Sequence, residues 1–109
     1  MGGTKPYWYY QLKFSPAGRL YTRLKHPGLR VQADAARQYY GQVLQGRRGL
    51  VFDIGANVGD LSMVFLEMGH TVEACEPDPE NFKALKARFA KQNKIVVLPN
   101  AVAAQGGMS

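Results

Sequence analysis

Two acids stand 23 positions apart in this chain, and each closes a short apolar run: Asp53 in Leu50-Val51-Phe52-Asp53-Ile54, and Glu76 after Thr71-Val72-Glu73-Ala74-Cys75. Between them lies the tight turn Gly55-Ala56-Asn57-Val58-Gly59, and the residues from Asp60 onward turn helical. An apolar run that ends on an acid and a glycine turn is how a buried parallel strand delivers its carboxyl end to a small-molecule site. Gly55 lets the backbone bend with no Cβ in the way, and Gly59 lets the following helix pack close to the strand. A carboxylate at the Glu76 position can accept two hydrogen bonds from the vicinal hydroxyls of a ribose. A third strand tip offers Pro99, Asn100 and Ala101. Three such tips side by side would hold a nucleoside cofactor.

The same residues discriminate between nucleosides. A dinucleotide site uses Gly-x-Gly-x-x-Gly, whose middle glycine admits a pyrophosphate. Here the middle position is Asn57 and the last is Asp60. A carboxylate at a helix N-terminus repels a diphosphate, which disfavours an NAD-dependent oxidoreductase. S-adenosylmethionine has no phosphate, an amino group at its methionine end and a cationic sulfonium, so the Asp53 carboxylate and the Gly-Ala-Asn turn suit it better. Asp53 and Asp60 can also be read as helix-capping acids, more readily for Asp60 than for Asp53 at the end of its buried strand.

Strands and helices must alternate to place these tips. Strands are expected at 50–54, 71–76 and 94–98, with a helix after Gly59 that carries Leu61, Val64, Phe65 and Met68 on one face. A second helix is capped by Asp78 with Pro79 at its first position; Phe82, Leu85 and Phe89 form its apolar stripe, while Lys83, Lys86, Arg88 and Lys91 face water. Right-handed crossovers make the sheet parallel and, in full, doubly wound. The expected fold is α/β, a partial Rossmann-like sheet preceded by N-terminal helices.

Those helices occupy residues 1–46, ahead of an incomplete cofactor-binding domain at 47–109. Ser15-Pro16 starts one helix, with Ala17, Leu20, Tyr21 and Leu24 at helical spacing, and His26-Pro27-Gly28 ends it. Another runs roughly from Asp34 to Gln45, with Gly46 as its C-cap. Residues 1–14, with Tyr7-Trp8-Tyr9-Tyr10, Leu12 and Phe14, read either as an extended piece packed on the domain or as a surface for stacking bases or sugars.

Composition narrows the function classes. The 109 residues are 46% hydrophobic and 20% charged, the balance of a folding globular chain. Net charge is +6, and residues 1–50 hold nine basic residues against one acid, Asp34. This basic front is read as a solvated face; nucleic acid, an acidic membrane or an anionic substrate are its other conceivable partners. A lone Cys75 excludes an intramolecular disulfide, no run approaches a membrane span of roughly 20 residues, and the start is neither a signal peptide nor a good myristoylation site, so a cytoplasmic location is expected.

Residues 51–60, Val-Phe-Asp-Ile-Gly-Ala-Asn-Val-Gly-Asp, resemble the first motif of the FkbM-type S-adenosylmethionine-dependent methyltransferases. Ala74-Cys75-Glu76-Pro77-Asp78-Pro79-Glu80-Asn81-Phe82 resembles the acidic second motif and its helix, and Asn100-Ala101-Val102-Ala103 the segment after that. The resemblance spans about residues 47–105. It implies that Asp53, Gly55, Ala56, Asn57 and Gly59 hold the methionine portion, Glu76 the ribose, and Asn100 and Ala101 lie near the adenine. It implies an acceptor that is a hydroxyl of a sugar or other small molecule; separately, no second His or Cys stands near His26 at metal-ligand spacing, so no metal is expected. The family's later strands, with the acidic segment of the acceptor site, have no counterpart here, so no general base is assigned. A fragment of this kind is expected to be weakly stable or inactive alone, and to self-associate through the open edge of its first strand.

Overall fold

The structure is a computed structural model and describes residues 4–100. Its elements run α1 (Tyr7–Lys13), α2 (Pro16–Lys25), α3 (Pro27–Leu44), β1 (Leu50–Ile54), α4 (Asp60–Glu67), β2 (Thr71–Cys75), α5 (Pro79–Arg88) and β3 (Ile95–Leu98). The strands form one parallel sheet in the order β1-β2-β3. Leu50 pairs with Thr71, and Asp53 with Ala74 and, across β2, Val97. The architecture is mixed α/β with an open three-stranded parallel sheet, compatible with part of a Rossmann-like fold.

Side chains alternate across a sheet, and here the two faces have different fates. Val51, Asp53, Val72, Ala74, Ile95 and Val97 turn toward α4 and α5. There Ala56, Phe65, Val72, Ala74, Leu85 and Phe89 form the main buried cluster, joined by Tyr40 and Leu44 from α3. The other face holds Leu50, Phe52, Ile54 and Val96, each 50–59% exposed. Both crossovers step in one direction across the sheet, so both connecting helices lie on one side. A doubly wound sheet is covered on both faces; the described residues cover one.

Each helix starts where local chemistry permits. The Ser15 hydroxyl accepts the Gly18 N–H, and the Asp78 carboxylate accepts that of Asn81; each cap is followed by proline at the first helical position. Pro27 does the same for α3. That helix therefore begins seven residues earlier than the Asp34 start expected from the sequence, and only His26 separates it from α2. A proline at the first position forfeits an N–H that has no partner in any case. At its far end Gln45, not Gly46, is the left-handed C-cap (φ 51°), and Gly46 follows at φ 77°.

The N-terminal aromatic stretch is helical rather than extended. Tyr10 is buried against Ala84 and Ala87 of α5, with Tyr9, Phe14 and Val58 packed around them, while Trp8 on another face of α1 is 63% exposed. Packing against α5 outweighs the modest helix propensity of a Tyr/Trp run. Gly18 makes the α1–α2 corner possible, since a Cβ there would lie 2.3 Å from the carbonyl oxygens of Leu12 and Lys13.

Candidate functional site

The tips of β1 and β2 are tied together at their carboxyl ends. Past Ile54 the chain bends at Gly55 (φ 70°), and the Gly55 and Ala56 N–H groups both donate to the Cys75 carbonyl, at 2.9 and 3.1 Å. Asn57, also left-handed at φ 55°, donates its N–H to Oε1 of Glu76 at 2.7 Å. The Asp78 N–H reaches Oε2 of the same carboxylate at 3.0 Å, and the Glu76 N–H donates to the Leu98 carbonyl of β3. Glu76 is thus turned onto the glycine bend and, at 5% exposure, is held by backbone from both flanking loops. A carboxylate offers about four acceptor positions, so each oxygen retains one after these bonds.

Asp53 takes a different position from the one its motif suggests. It faces the covered side of the sheet, is buried, and accepts the hydroxyl of fully buried Ser62, in the first turn of α4, at 2.5 Å. Burial pushes the Asp53 carboxyl above its ordinary value, the Ser62 hydroxyl pulls it back, and the negative charge of Glu76 adds to the rise. Its carboxylate links β1 to α4.

The glycines divide the work. The Cβ position at Gly55 has nothing within 4 Å, so open space lies beside the bend. Gly59, at φ 91°, is different: a Cβ there would lie 2.5 Å from Cε2 of Phe89 and 2.7 Å from Cδ1 of Leu85. The close approach that Gly59 permits is therefore to α5, not to β1. Ala56 lies in the main core, while Asn57 is exposed at the apex of the turn.

Asp60 does not cap its own helix; it is exposed and pairs with Nη1 of Arg88 at 2.7 Å. The same nitrogen donates to the Val58 carbonyl at 2.9 Å, and the guanidinium lies 4.8 Å from the ring centre of Phe14. Arg88 was expected to face water. Instead it fastens the back of the turn to α5, and the α1–α2 corner stacks on it. Asn100 is exposed just beyond β3, while Ala101 lies outside the described residues. The structure therefore gathers Gly55, Asn57, Gly59 and Glu76 at one end of the sheet, with Asp53 and Ala56 beneath them in the core. Ser62 and Arg88 are the residues that motif reading missed. Arg88 had one usable signal, its position three residues after the core residue Leu85, where a helix side chain shares that face.

Among the described residues no group of three or more His, Cys, Asp or Glu stands together for a metal ion, and no helix is long and apolar enough to cross a membrane. The chain matches no protein-family model, no curated protein and no solved structure.

Proposed function

We propose that the β1–β2 tips bind S-adenosylmethionine and that the chain carries the cofactor-binding portion of a methyltransferase of the FkbM type, acting on a hydroxyl of a sugar or other small molecule. The observation that carries the proposal is the turn of Glu76 onto the Asn57 amide, which puts a partly satisfied carboxylate beside an open glycine bend at two adjacent parallel strand ends. The cofactor would supply an electrophilic methyl group on sulfur. Glu76 would accept the ribose hydroxyls on its remaining lone pairs, and the bend at Gly55 would let the methionine end lie close to the backbone. Transfer to an acceptor hydroxyl is then a matter of positioning, with the remainder of a class I methyltransferase core, including the acceptor wall, as the partner of this half-site. Asp53, bonded to Ser62 beneath the bend, would set its shape.

Calorimetry with S-adenosylmethionine and, separately, NAD tests this proposal. Saturable heat with the first and none with the second is expected. Heat with NAD alone would overturn it.

A second role rests on a separate observation, the exposed apolar face of Leu50, Phe52, Ile54 and Val96 beside the edge of β1, which pairs with β2 alone among the described residues. An uncovered face and a free strand edge together favour assembly with another chain, with or without catalysis. Sedimentation of the chain distinguishes this role, since a strict monomer at all concentrations argues against it.

A further inference from the structure

The helical half of the molecule contains a cleft that neither the sheet nor the glycine bend uses. It is a half-open surface hollow between α2 and α3, with a volume of about 410 Å³, lined by Ala33, Asp34 and Arg37 and by the exposed Arg23 and Arg30. We propose that this cleft binds a phosphate-type oxyanion, with Arg23 and Arg30 as its ligands.

The placement follows from the short α2–α3 junction. Arg23 sits in the last turn of α2, Arg30 is the fourth residue of α3, and only His26 separates the two helices. Arg37 follows Arg30 by seven residues, so the two fall on nearly the same face of α3, about 20° apart on an ideal helix. The three arginines are not equivalent. Arg37 bonds Asp34 at 2.5 Å and Glu67 of α4 at 2.7 Å, is half-buried, and has its guanidinium held more firmly protonated chiefly by the hydrogen bond to Glu67. The one acid in the lining, Asp34, is therefore already engaged. Arg23 and Arg30 make no ion pair or side-chain hydrogen bond among the described residues. Counting Arg23, Arg30 and Arg37 against Asp34 and Glu67, the local charge is +1, carried by the two exposed planar donor forks of Arg23 and Arg30, groups that bond oxyanions in a bidentate manner.

The cleft is separate from the proposed cofactor site. α4 begins at Asp60, beside the glycine bend, and ends at Glu67, on Arg37. The two sites therefore lie toward opposite ends of a helix of eight residues, about 12 Å long. Oxyanion binding in the cleft stands whether or not the strand tips take S-adenosylmethionine.

The test is calorimetry of the full chain with inorganic phosphate and with pyrophosphate at low ionic strength, with a short single-stranded RNA in a third arm. Saturable binding of phosphate or pyrophosphate is expected. It should weaken at least about tenfold in the double variant Arg23→Gln/Arg30→Gln, since each fork lost removes charge-assisted bonds. The control, Arg19→Gln/Lys25→Gln, removes the same net charge from α2 outside the cleft and should bind as the parent does. Circular dichroism should show unchanged helix content in both. Equal weakening in the two double variants would reduce the effect to bulk charge and overturn the proposal. So would the absence of heat with both small anions, or RNA binding that the cleft variant leaves intact while phosphate fails to bind.

Discussion

Oε1 of Glu76 accepts the backbone N–H of Asn57 at 2.7 Å, so the acid that ends one strand holds the turn that ends its neighbour. The opposite carboxylate oxygen holds the Asp78 amide, at the start of the next helix. One side chain thereby fixes the loops after both β1 and β2.

Removing that side chain should therefore affect both folding and binding. Glu76→Ala is expected to cost about 3 kcal/mol in urea denaturation, since two charge-assisted bonds to backbone amides are lost. Glu76→Gln retains one oxygen acceptor and should cost less. If Glu76 also receives ribose hydroxyls, Glu76→Gln should weaken S-adenosylmethionine by more than its stability loss accounts for, as calorimetry on the folded fraction would read.

Gly55→Ala and Gly59→Ala should differ, although both residues have positive φ. At Gly55 the new methyl meets nothing within 4 Å, so the cost is backbone strain alone, about 1 kcal/mol. At Gly59 it collides with Leu85 and Phe89 in the core, and overpacking adds about 1–3 kcal/mol. Equal denaturation midpoints for the two variants would show that the turn does not press against α5.

Asp53 and Ser62 predict a pH effect of definite sign. Burial raises the Asp53 carboxyl in the folded chain above its unfolded value, so the folded state binds more protons just above that unfolded value, and stability falls as pH rises through the window. Asp53→Asn keeps an acceptor for Ser62 and should flatten this part of the stability–pH curve. Ser62→Ala strips the buried carboxyl of its hydroxyl donor and should cost about 1–3 kcal/mol at neutral pH.

Tyr10 gives the alkaline counterpart. Its phenol is raised from 10.0 to about 12, first by burial and then by its hydrogen bond to Glu80. The folded chain holds this proton between those values and the unfolded chain releases it, so stability is intact below pH 10 and falls as pH climbs toward 12. On the acid side Glu80 is lowered, chiefly by the Tyr10 bond; its contribution is present above its ordinary carboxylate value and is lost as pH falls. Tyr10→Phe should flatten the alkaline loss and shrink the acid one. Urea denaturation of parent and variant across the pH range, read by circular dichroism, checks both.

The open sheet face predicts concentration-dependent association. Phe52→Lys places a charge at its middle and should shift sedimentation toward the monomer with little loss of stability, because Phe52 is already 59% exposed.

The three strands, both connecting helices and the clustering of Gly55, Asn57, Gly59 and Glu76 were legible in the sequence because apolar runs, proline caps and glycine turns are local signals. What was not legible depends on tertiary contact. α1 is helical because Tyr10 finds Ala84 and Ala87 in α5. Asp53 turns inward because Ser62 comes round beneath it, and Arg88 leaves the solvent because Asp60, Val58 and Phe14 converge on it. The early start of α3 is a different kind of miss: Pro27 carries the same first-position signal as Pro16 and Pro79 but stands so close to the end of α2 that it reads as a breaker.

The paired amides on the Cys75 carbonyl act as a clamp. With both amides on one carbonyl, the first strand's exit and the second's are tied together and do not swing aside separately. If the strand tips bind the proposed cofactor, this pre-formed rim spares the binding step the entropy of ordering a loop.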